Sequence, residues 1–219
     1  MLGACTKSSD SGVTVAQGYG EPRAKPRAFA LKQAYVTEIF RQLKSRTRQD
    51  PPESVDVDEM HFDTMTKNHS LEKKVAKGMN GYAGMSPEQI CEELSLTGEF
   101  GGKGGTSRRM NKFANKVATG FQYQKITQLP EFLKSGLTVK VVRIKENGQA
   151  AEAVSFPAFE YDEVAAEDCW EDSSLYQDLV KRFLFVFLRD HGDDRPLKFD
   201  KAVFWSMPEA DLDRTEKVW

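Results

Sequence analysis

Six consecutive apolar residues, Phe183 to Leu188, constrain the fold of this 219-residue chain more than any other segment. A strand that faces solvent on one side alternates apolar and polar residues, whereas a strand covered on both faces is apolar throughout. The run therefore predicts a central strand with further layers on both sides of its sheet. It is also the longest apolar run in the sequence, and a membrane-spanning helix needs about 20 apolar residues. The sequence excludes such a helix.

The segments around this run predict a mixed sheet flanked by helices. Residues 1–26 show little periodicity and predict an unfolded lead. Ser86-Pro87-Glu88-Gln89 combines a helix cap, a proline at the first helical position and a capping-box glutamine, and Asn147-Gly148 is a two-residue hairpin signal. We predict helices over 29–43, 70–77, 86–94, 107–119, 173–180 and from 208 onwards, and strands over 137–144, 153–159, 183–188 and 197–207. The expected fold class is α/β (α+β) with a mixed central sheet.

Charge is distributed unevenly, although the formal net charge of the chain is only −2. Residues 101–146 carry ten basic and two acidic side chains, whereas residues 147–219 carry eight basic and seventeen acidic ones. The basic block contains the predicted helix 107–119, which begins with Arg108 and Arg109. A bound phosphate would offset the cost of cations at a helix start. Two interpretations stay open: a surface that contacts a polyanion, and a basic face that is solvated or paired with the acidic segments.

The cysteines and histidines indicate neither a disulfide framework nor a zinc site. The three cysteines lie far apart with no Cys-x-x-Cys spacing, which is typical of a reducing compartment, and we expect a cytoplasmic protein. The three histidines have no metal-ligand spacing. These residues are Cys5, Cys91 and Cys169, and His61, His69 and His191.

Three segments, in this order and spacing, resemble the MutH-type endonucleases. Glu131 to Lys140 is similar to the catalytic stretch of that family, in which an acidic residue and Phe precede Gly-x-Glu-x-Lys. Lys181 to Val186 resembles its Lys-Arg-aliphatic strand, and Ala202 to Glu209 resembles its Leu-Trp-Ser-Pro-acidic entry into a helix. The resemblance covers residues 68–219, and the family includes mismatch-repair nicking enzymes and type II restriction enzymes that recognise GATC. It implies a restriction-endonuclease-like fold.

The resemblance also implies a domain organisation. In the restriction enzymes of this family, a second copy of the fold follows the catalytic copy and binds DNA without cutting it, and Lys25 to Tyr35 is similar to the connector before that second copy. We therefore expect residues 1–66 to form a flexible lead, an N-terminal helical arm and an acidic linker. Residues 67–219 are then a MutH-like DNA-binding domain, truncated at its C-terminus, whose partner is a catalytic MutH-like domain.

The positions that match the metal site of the family depart from its pattern. The family uses carboxylates to hold Mg²⁺ and a lysine beside the attacking water. The strand glutamate corresponds to Thr138 here, and a helix glutamate to Lys116. The earlier aspartate corresponds to Glu131, or to Pro130 if the register of the alignment slips. Lys140 alone is unchanged. We therefore expect no metal cofactor, with Glu131 and Lys140 as remnants of a catalytic site.

The leading hypothesis is double-stranded DNA binding by a catalytically degenerate domain of a type II restriction endonuclease that acts as a recognition or effector domain. Losing carboxylates removes repulsion from the phosphate backbone, so this change is compatible with DNA binding. The candidate DNA-binding residues are Lys103, Arg108, Arg109, Lys112, Lys116, Lys140 and Lys181.

Two alternatives remain at the level of sequence. The first is an active Mg²⁺-dependent endonuclease of the same family that uses Glu131, Lys140 and another carboxylate. The second is a non-enzymatic adaptor whose basic block docks onto an acidic protein partner.

Overall fold

A computed structural model describes residues 2–6, 14, 27–46, 62–98, 100–102, 104–119, 125–129, 132, 136–192 and 195–219. The described helices are α1 (Gln33–Arg46), α2 (Phe62–Asn80), α3 (Pro87–Glu93), α4 (Gly105–Thr119), α5 (Tyr161–Ala165), α6 (Ser174–Leu179) and α7 (Glu209–Glu216). The described strands are β1 (Leu2–Thr6), β2 (Arg27–Leu31), β3 (Thr138–Ile144), β4 (Val154–Phe159), β5 (Phe183–Arg189) and β6 (Lys198–Trp205), and a 3₁₀ turn covers Ile126–Gln128. None of these helices is both long enough and apolar enough to cross a membrane. The elements form an α+β fold with one mixed and one antiparallel sheet. The α+β class and the mixed sheet agree with the sequence prediction, whereas the separate antiparallel sheet was not predicted.

The described residues belong to two compact units, each assembled from separate parts of the chain. The first unit takes Met1–Val36, Glu152–Lys181 and Ser206–Trp219, and the second takes Thr37–Ala151 and Arg182–Trp205. The candidate DNA-binding positions other than Lys181 fall within the second unit, which we therefore describe in more detail.

The first unit contains an antiparallel sheet in the order β1-β2-β4. This sheet corrects two predictions, because β1 lies in the segment expected to be an unfolded lead and the helix predicted from Phe29 begins only at Gln33. Ala28, Ala30 and Leu31 are buried in β2 instead. Their strand conformation depends on pairing with β4, more than 120 residues away in the sequence, and the local spacing of apolar residues cannot reveal such a partner.

One side-chain hydrogen bond in the first unit joins residues from two distant segments. The hydroxyl of Tyr35 donates to Oδ2 of Asp211 at 2.6 Å. Burial, followed by this hydrogen bond to a carboxylate, raises the pKa of the Tyr35 hydroxyl well above its ordinary value. The phenol is therefore held in its protonated, donating form.

The second unit is built on a mixed three-stranded sheet in the order β3-β5-β6. β5 pairs parallel with β3 and antiparallel with β6, so it is the central strand. Each residue from Phe183 to Leu188 has an exposed fraction of 0%. The prediction of a central strand covered on both faces is confirmed.

The two faces of this sheet carry different side chains. On one face, Val139 and Val141 pack into the hydrophobic core with Leu184, Val186 and Leu188, together with residues of α2, α3 and α4. Because side chains alternate along a strand, the other face carries Thr138 and Lys140. The ring of Phe40 from α1 lies 5.1 Å from that of Phe187 on this second face.

The exposed edge of β6 is closed by polar contacts from the last residue of α2 and the segment that follows it. The side chain of Asn80 accepts from the main-chain NH of Ala202 at 2.7 Å and donates to its carbonyl at 3.2 Å. The main-chain NH of Gly84 donates to the carbonyl of Phe199, and the main-chain NH of Phe199 donates to the carbonyl of Met85, both at 2.8 Å. These bonds satisfy edge groups that would otherwise remain open to another strand.

The turn at Asn147-Gly148 forms, but it does not lead into the predicted hairpin partner. Gly148 adopts a φ of +80°, and Gln149 is hydrogen-bonded to Lys145 at 2.8 Å. The antiparallel contact ends after the single bridge between Ile144 and Ala150. β4 then pairs with β2. A turn signal defines the local reversal, whereas the choice of pairing strand depends on the whole sheet.

The remaining helix predictions agree with the structure more closely. Ser86 caps α3 with the complete capping box, in which its hydroxyl accepts from Gln89 and the Gln89 side chain accepts from Ser86. Ser173 caps α6 in the same region as predicted. α2 begins at Phe62 and is longer than the predicted 70–77 segment. The predicted acidic linker at Glu53–Glu59 lies outside the described residues.

Candidate nucleic-acid interface

α4 carries most of the candidate DNA-binding residues, and its apolar stripe sets its orientation. Met110, Phe113 and Ala114 are buried in the core of the second unit, as the sequence predicts. The helix begins at Gly105, two residues before the predicted start at 107. A Cβ at Gly105 would lie only 2.0 Å from the carbonyl oxygen of Phe100. Glycine is required here because the preceding loop passes directly over the helix start.

A close approach between α2 and α4 holds the other end of the basic helix. A Cβ on Gly78 of α2 would lie 2.7 Å from Cγ1 of Val117 on α4. The missing side chain therefore lets the two helices pack closely. This contact positions the basic face of α4 relative to the rest of the unit.

The basic side chains in the first two turns of α4 hold the loop that precedes it. Arg108 donates to the carbonyl of Gly101, and Lys112 donates to the carbonyl of Thr97. The Lys112 ammonium lies 5.4 Å from the centroid of the Phe100 ring and the Arg109 guanidinium lies 5.2 Å from it. Each distance is within the range of a cation–π interaction.

Arg109 also forms an ion pair. Its Nη1 lies 3.3 Å from Oε1 of Glu88 on α3, and only 22% of its side chain is exposed. Cys91, on the same helix as Glu88, is buried, and this burial raises the pKa of its thiol even though the charge of Arg109 acts in the opposite direction. Arg109 thus joins α4 to α3, a structural role in addition to the predicted phosphate contact.

A cleft opens between the outer side of α4 and the 3₁₀ turn, with a volume of about 600 Å³. It is lined by three cations, three neutral polar side chains and three apolar side chains: Arg108, Lys112, Lys125, Asn111, Asn115, Thr127, Phe100, Ile126 and Val139. None of these described lining residues carries a carboxylate. A concave site with cations and no lining carboxylate concentrates positive potential.

Two asparagines in this cleft are oriented by main-chain hydrogen bonds. Asn111 donates through Nδ2 to the carbonyl of Ser107 at 2.8 Å. Asn115 accepts through Oδ1 from the main-chain NH of Ile126 at 2.9 Å, which joins α4 to the 3₁₀ turn. Asn111 therefore offers its Oδ1 as an acceptor, and Asn115 offers its Nδ2 as a donor.

Lys116, Lys140 and Lys181 do not line this cleft. Lys116 is partly exposed on α4, and Lys140 is partly exposed on β3, on the face of the sheet opposite the one that packs against α4. Lys181 belongs to the first unit, where its Nζ lies 2.6 Å from Oδ1 of Asp178. Lys103 lies outside the described residues.

The positions that the sequence resemblance assigns to a metal site do not provide suitable ligands for Mg²⁺. Mg²⁺ prefers oxygen ligands, with carboxylates foremost, but Thr138 offers a neutral hydroxyl and Lys116 a repelling charge. Thr138 and Lys140 project from the face of the sheet opposite α4, so they do not converge with Lys116. Glu131 lies outside the described residues. Among the residues that the structure describes, no group of three or more His, Cys, Asp or Glu side chains could hold a metal ion.

The neighbours of Thr138 and Lys140 on their face of the sheet are aromatic. Thr138 pairs with Phe183 and Lys140 with Phe185. The rings of these two phenylalanines stack with their centroids 5.8 Å apart, and Trp205 lies 5.5 Å from the second ring. The side chains beside the lysine on this face are therefore aromatic, and those of Phe183 and Phe185 are fully buried.

Arg182 has a structural role that its sequence context does not suggest. Its guanidinium donates from Nε and Nη2 to the two carboxylate oxygens of Glu72 on α2, at 2.8 and 2.6 Å. Only 24% of the Arg182 side chain and 11% of the Glu72 side chain are exposed. This two-point contact ties α2 to the start of β5.

The neutral and apolar side chains of the cleft were not predicted from the sequence. Arg108, Asn111, Lys112 and Asn115 share one side of α4 because they are three, four and seven residues apart. That polar stripe was visible in the sequence. The contribution of Lys125 and its neighbours was not, because it depends on how the 3₁₀ turn packs beside the helix.

Comparison with known proteins places the chain beside a restriction enzyme. No family model matches it. The chain is 30% identical, over 226 aligned positions, to the type II restriction enzyme Sau3AI of Staphylococcus aureus. The match covers 100% of the chain and 44% of the relative, so the chain spans less than half the length of that enzyme. Over its whole length, the chain is therefore related to part of a type II restriction endonuclease.

Proposed function

We propose that this chain is the DNA-binding part of a type II restriction enzyme and that it contacts duplex DNA without hydrolysing it. The observation that carries the proposal is the outer side of α4, where Arg108 and Lys112 border a positively charged cleft together with Lys125. The relationship to a restriction endonuclease favours DNA over other polyanions as the ligand.

The finer parts of the proposal rest on the sequence resemblance. We propose a MutH-like fold for the second unit, GATC as the sequence of the bound site, and a separate catalytic MutH-like domain as the partner that cuts. The chain then acts as a recognition or effector domain in a larger enzyme.

The absence of hydrolysis is proposed from the chemistry of the matched positions. A phosphodiesterase of this type needs carboxylates to hold the ion that neutralises charge in the transition state. Thr138 and Lys116 supply neither the negative charge nor the ligand geometry that would hold this ion. The lysines instead reduce repulsion from the backbone, which favours binding without a metal cofactor.

The electrostatic part of the proposal predicts a steep salt dependence. If about four phosphates are neutralised, the logarithm of the affinity falls with a slope of about −3.6 against the logarithm of the salt concentration. Affinity then drops about 100-fold between about 50 and 200 mM salt. The double substitution Arg108→Gln and Lys112→Gln should reduce the slope by about 2, because each lost contact contributes about 0.9.

Fluorescence anisotropy with a labelled GATC duplex and a scrambled duplex tests these expectations. Lys74→Gln, at an exposed position on α2, is the matched control that removes one positive charge away from the cleft. Binding that is absent, or insensitive to salt, contradicts the DNA-binding proposal. Equal affinity for both duplexes contradicts GATC recognition alone.

Incubation of the protein with a GATC-containing plasmid and Mg²⁺ tests the absence of hydrolysis separately. We expect no nicking or linearisation. Cleavage that is lost in the Lys140→Ala variant would establish the active endonuclease in its place.

A further inference from the structure

We infer that the cleft between α4 and the 3₁₀ turn is a site for a single nucleoside phosphate. This inference deepens the proposed DNA-binding function and rests on it for the choice of a nucleic-acid ligand. It adds that this part of the surface accepts one nucleotide unit with its base, in addition to contacting the outside of a duplex.

The size of the cleft agrees with such a ligand. Small-molecule sites typically have volumes of about 300–1,000 Å³, and this cleft has about 600 Å³. A duplex presents its phosphates on a convex surface and keeps its bases stacked inside. A concave site of this size therefore suits an unpaired nucleotide better than a paired one.

The charged side chains of the cleft suit the phosphate group. Arg108 and Lys112 lie one turn apart on α4, and Lys125 lines the same cleft from the segment before the 3₁₀ turn. Lys112 donates to the main-chain carbonyl of Thr97, a neutral group that does not cancel its positive charge. Three cations that line one cleft favour a phosphate, which accepts strong charge-assisted hydrogen bonds.

The neutral side chains suit the base and the sugar. The Oδ1 of Asn111 and the Nδ2 of Asn115 place an acceptor and a donor one helical turn apart, and a base edge presents both kinds of group. Thr127 adds a hydroxyl, while Ile126 and Val139 add an apolar surface. Such a surface, next to directed polar groups, is the usual composition of a small-ligand site.

Two sources can supply this nucleotide chemistry. One is a free mononucleotide, and the other is a nucleotide turned out of the bound DNA, which costs a few kcal/mol of unstacking and less when the nucleotide is already unpaired. The two sources share the same contacts with the cleft. They differ in whether the nucleotide is attached to a strand.

Titration calorimetry of the full chain with each deoxynucleoside monophosphate, and with inorganic phosphate as the reference, tests the site. We expect at least one mononucleotide to bind at least tenfold more tightly than inorganic phosphate. Asn111→Leu should weaken that binding about fivefold, since one hydrogen bond is worth roughly 1 kcal/mol. Thr127→Val, which replaces one hydroxyl by a methyl group, repeats the test if the first variant folds poorly. Lys145→Ala, an exposed cation outside the cleft, should leave mononucleotide binding unchanged.

Anisotropy with a matched duplex and with the same duplex carrying one unpaired nucleotide separates the two sources. Tighter binding of the bulged duplex, lost in Asn111→Leu, identifies an extruded nucleotide. Equal binding of both duplexes together with mononucleotide binding identifies a free nucleotide. Duplex binding without preference for a mononucleotide over phosphate, and without preference for the bulge, overturns the inference and leaves the proposed function standing. Absence of duplex binding overturns the proposed function.

Discussion

The effect of Gly78→Ala on the free energy of unfolding should change sign when Val117, the residue opposite Gly78, is made smaller. In the native protein, the new Cβ would lie 2.7 Å from Cγ1 of Val117. Because Val117 is β-branched, its side chain in a helix is restricted to one strongly preferred rotamer and cannot rotate away. Crowding of this kind costs about 1–3 kcal/mol.

The same substitution carries an opposite contribution from the helix backbone. Alanine is favoured over glycine inside a helix by up to about 1 kcal/mol. The two effects together predict that Gly78→Ala lowers the free energy of unfolding by about 1 kcal/mol, taking the crowding cost as about 2 kcal/mol. In a Val117→Ala background the crowding atom is gone. Gly78→Ala should then raise the free energy of unfolding by about 0.5–1 kcal/mol.

Urea unfolding of the four proteins in this double-mutant cycle measures the coupling, expected at about 2 kcal/mol. The slope with denaturant should stay constant, which shows that only stability has changed. Gly81→Ala is the matched control, because a Cβ there makes an ordinary contact at 3.4 Å. If Gly78→Ala is destabilising in both backgrounds, or stabilising in both, the close approach of α2 and α4 does not determine the cost.

Two further predictions concern ionisable pairs. Glu72→Gln should lower the free energy of unfolding by about 2 kcal/mol, because it leaves the largely buried Arg182 guanidinium without its carboxylate. This value is smaller than for a fully buried pair, since about a quarter of the Arg182 side chain is exposed to solvent. An unchanged thermal unfolding temperature in this variant would contradict the prediction. Tyr35→Phe should destabilise the protein by about 1 kcal/mol near neutral pH through loss of the bond to Asp211. Because the folded pKa of Tyr35 is raised, its contribution is complete below about pH 10, the unfolded value, and is lost as pH rises above it. Urea unfolding of both proteins at about pH 8 and pH 11 should therefore show the difference shrinking at the higher pH, and a constant difference would refute the assignment.

The candidate site shows the limits of prediction from residue types. The basic character of α4 and its buried stripe follow from charge and from helical spacing, and both could be predicted. The partners of its cations could not, since Arg109 pairs with Glu88 on another helix and Lys112 reaches back to the loop before α4. These contacts depend on how the elements pack.

The sequence by itself determined those structural elements that depend only on residues close together in the chain. The apolar run of β5, the capping box at Ser86 and the turn at Gly148 each depend on neighbouring residues, so they could be recognised without knowledge of the fold. The tertiary structure alone decided which strands pair, as with β2 and β4, and which side of the sheet Lys140 occupies relative to α4. Those choices follow from burying the apolar surface of the whole unit at once. The arrangement that buries it best depends on all the segments together and cannot be read from any one of them.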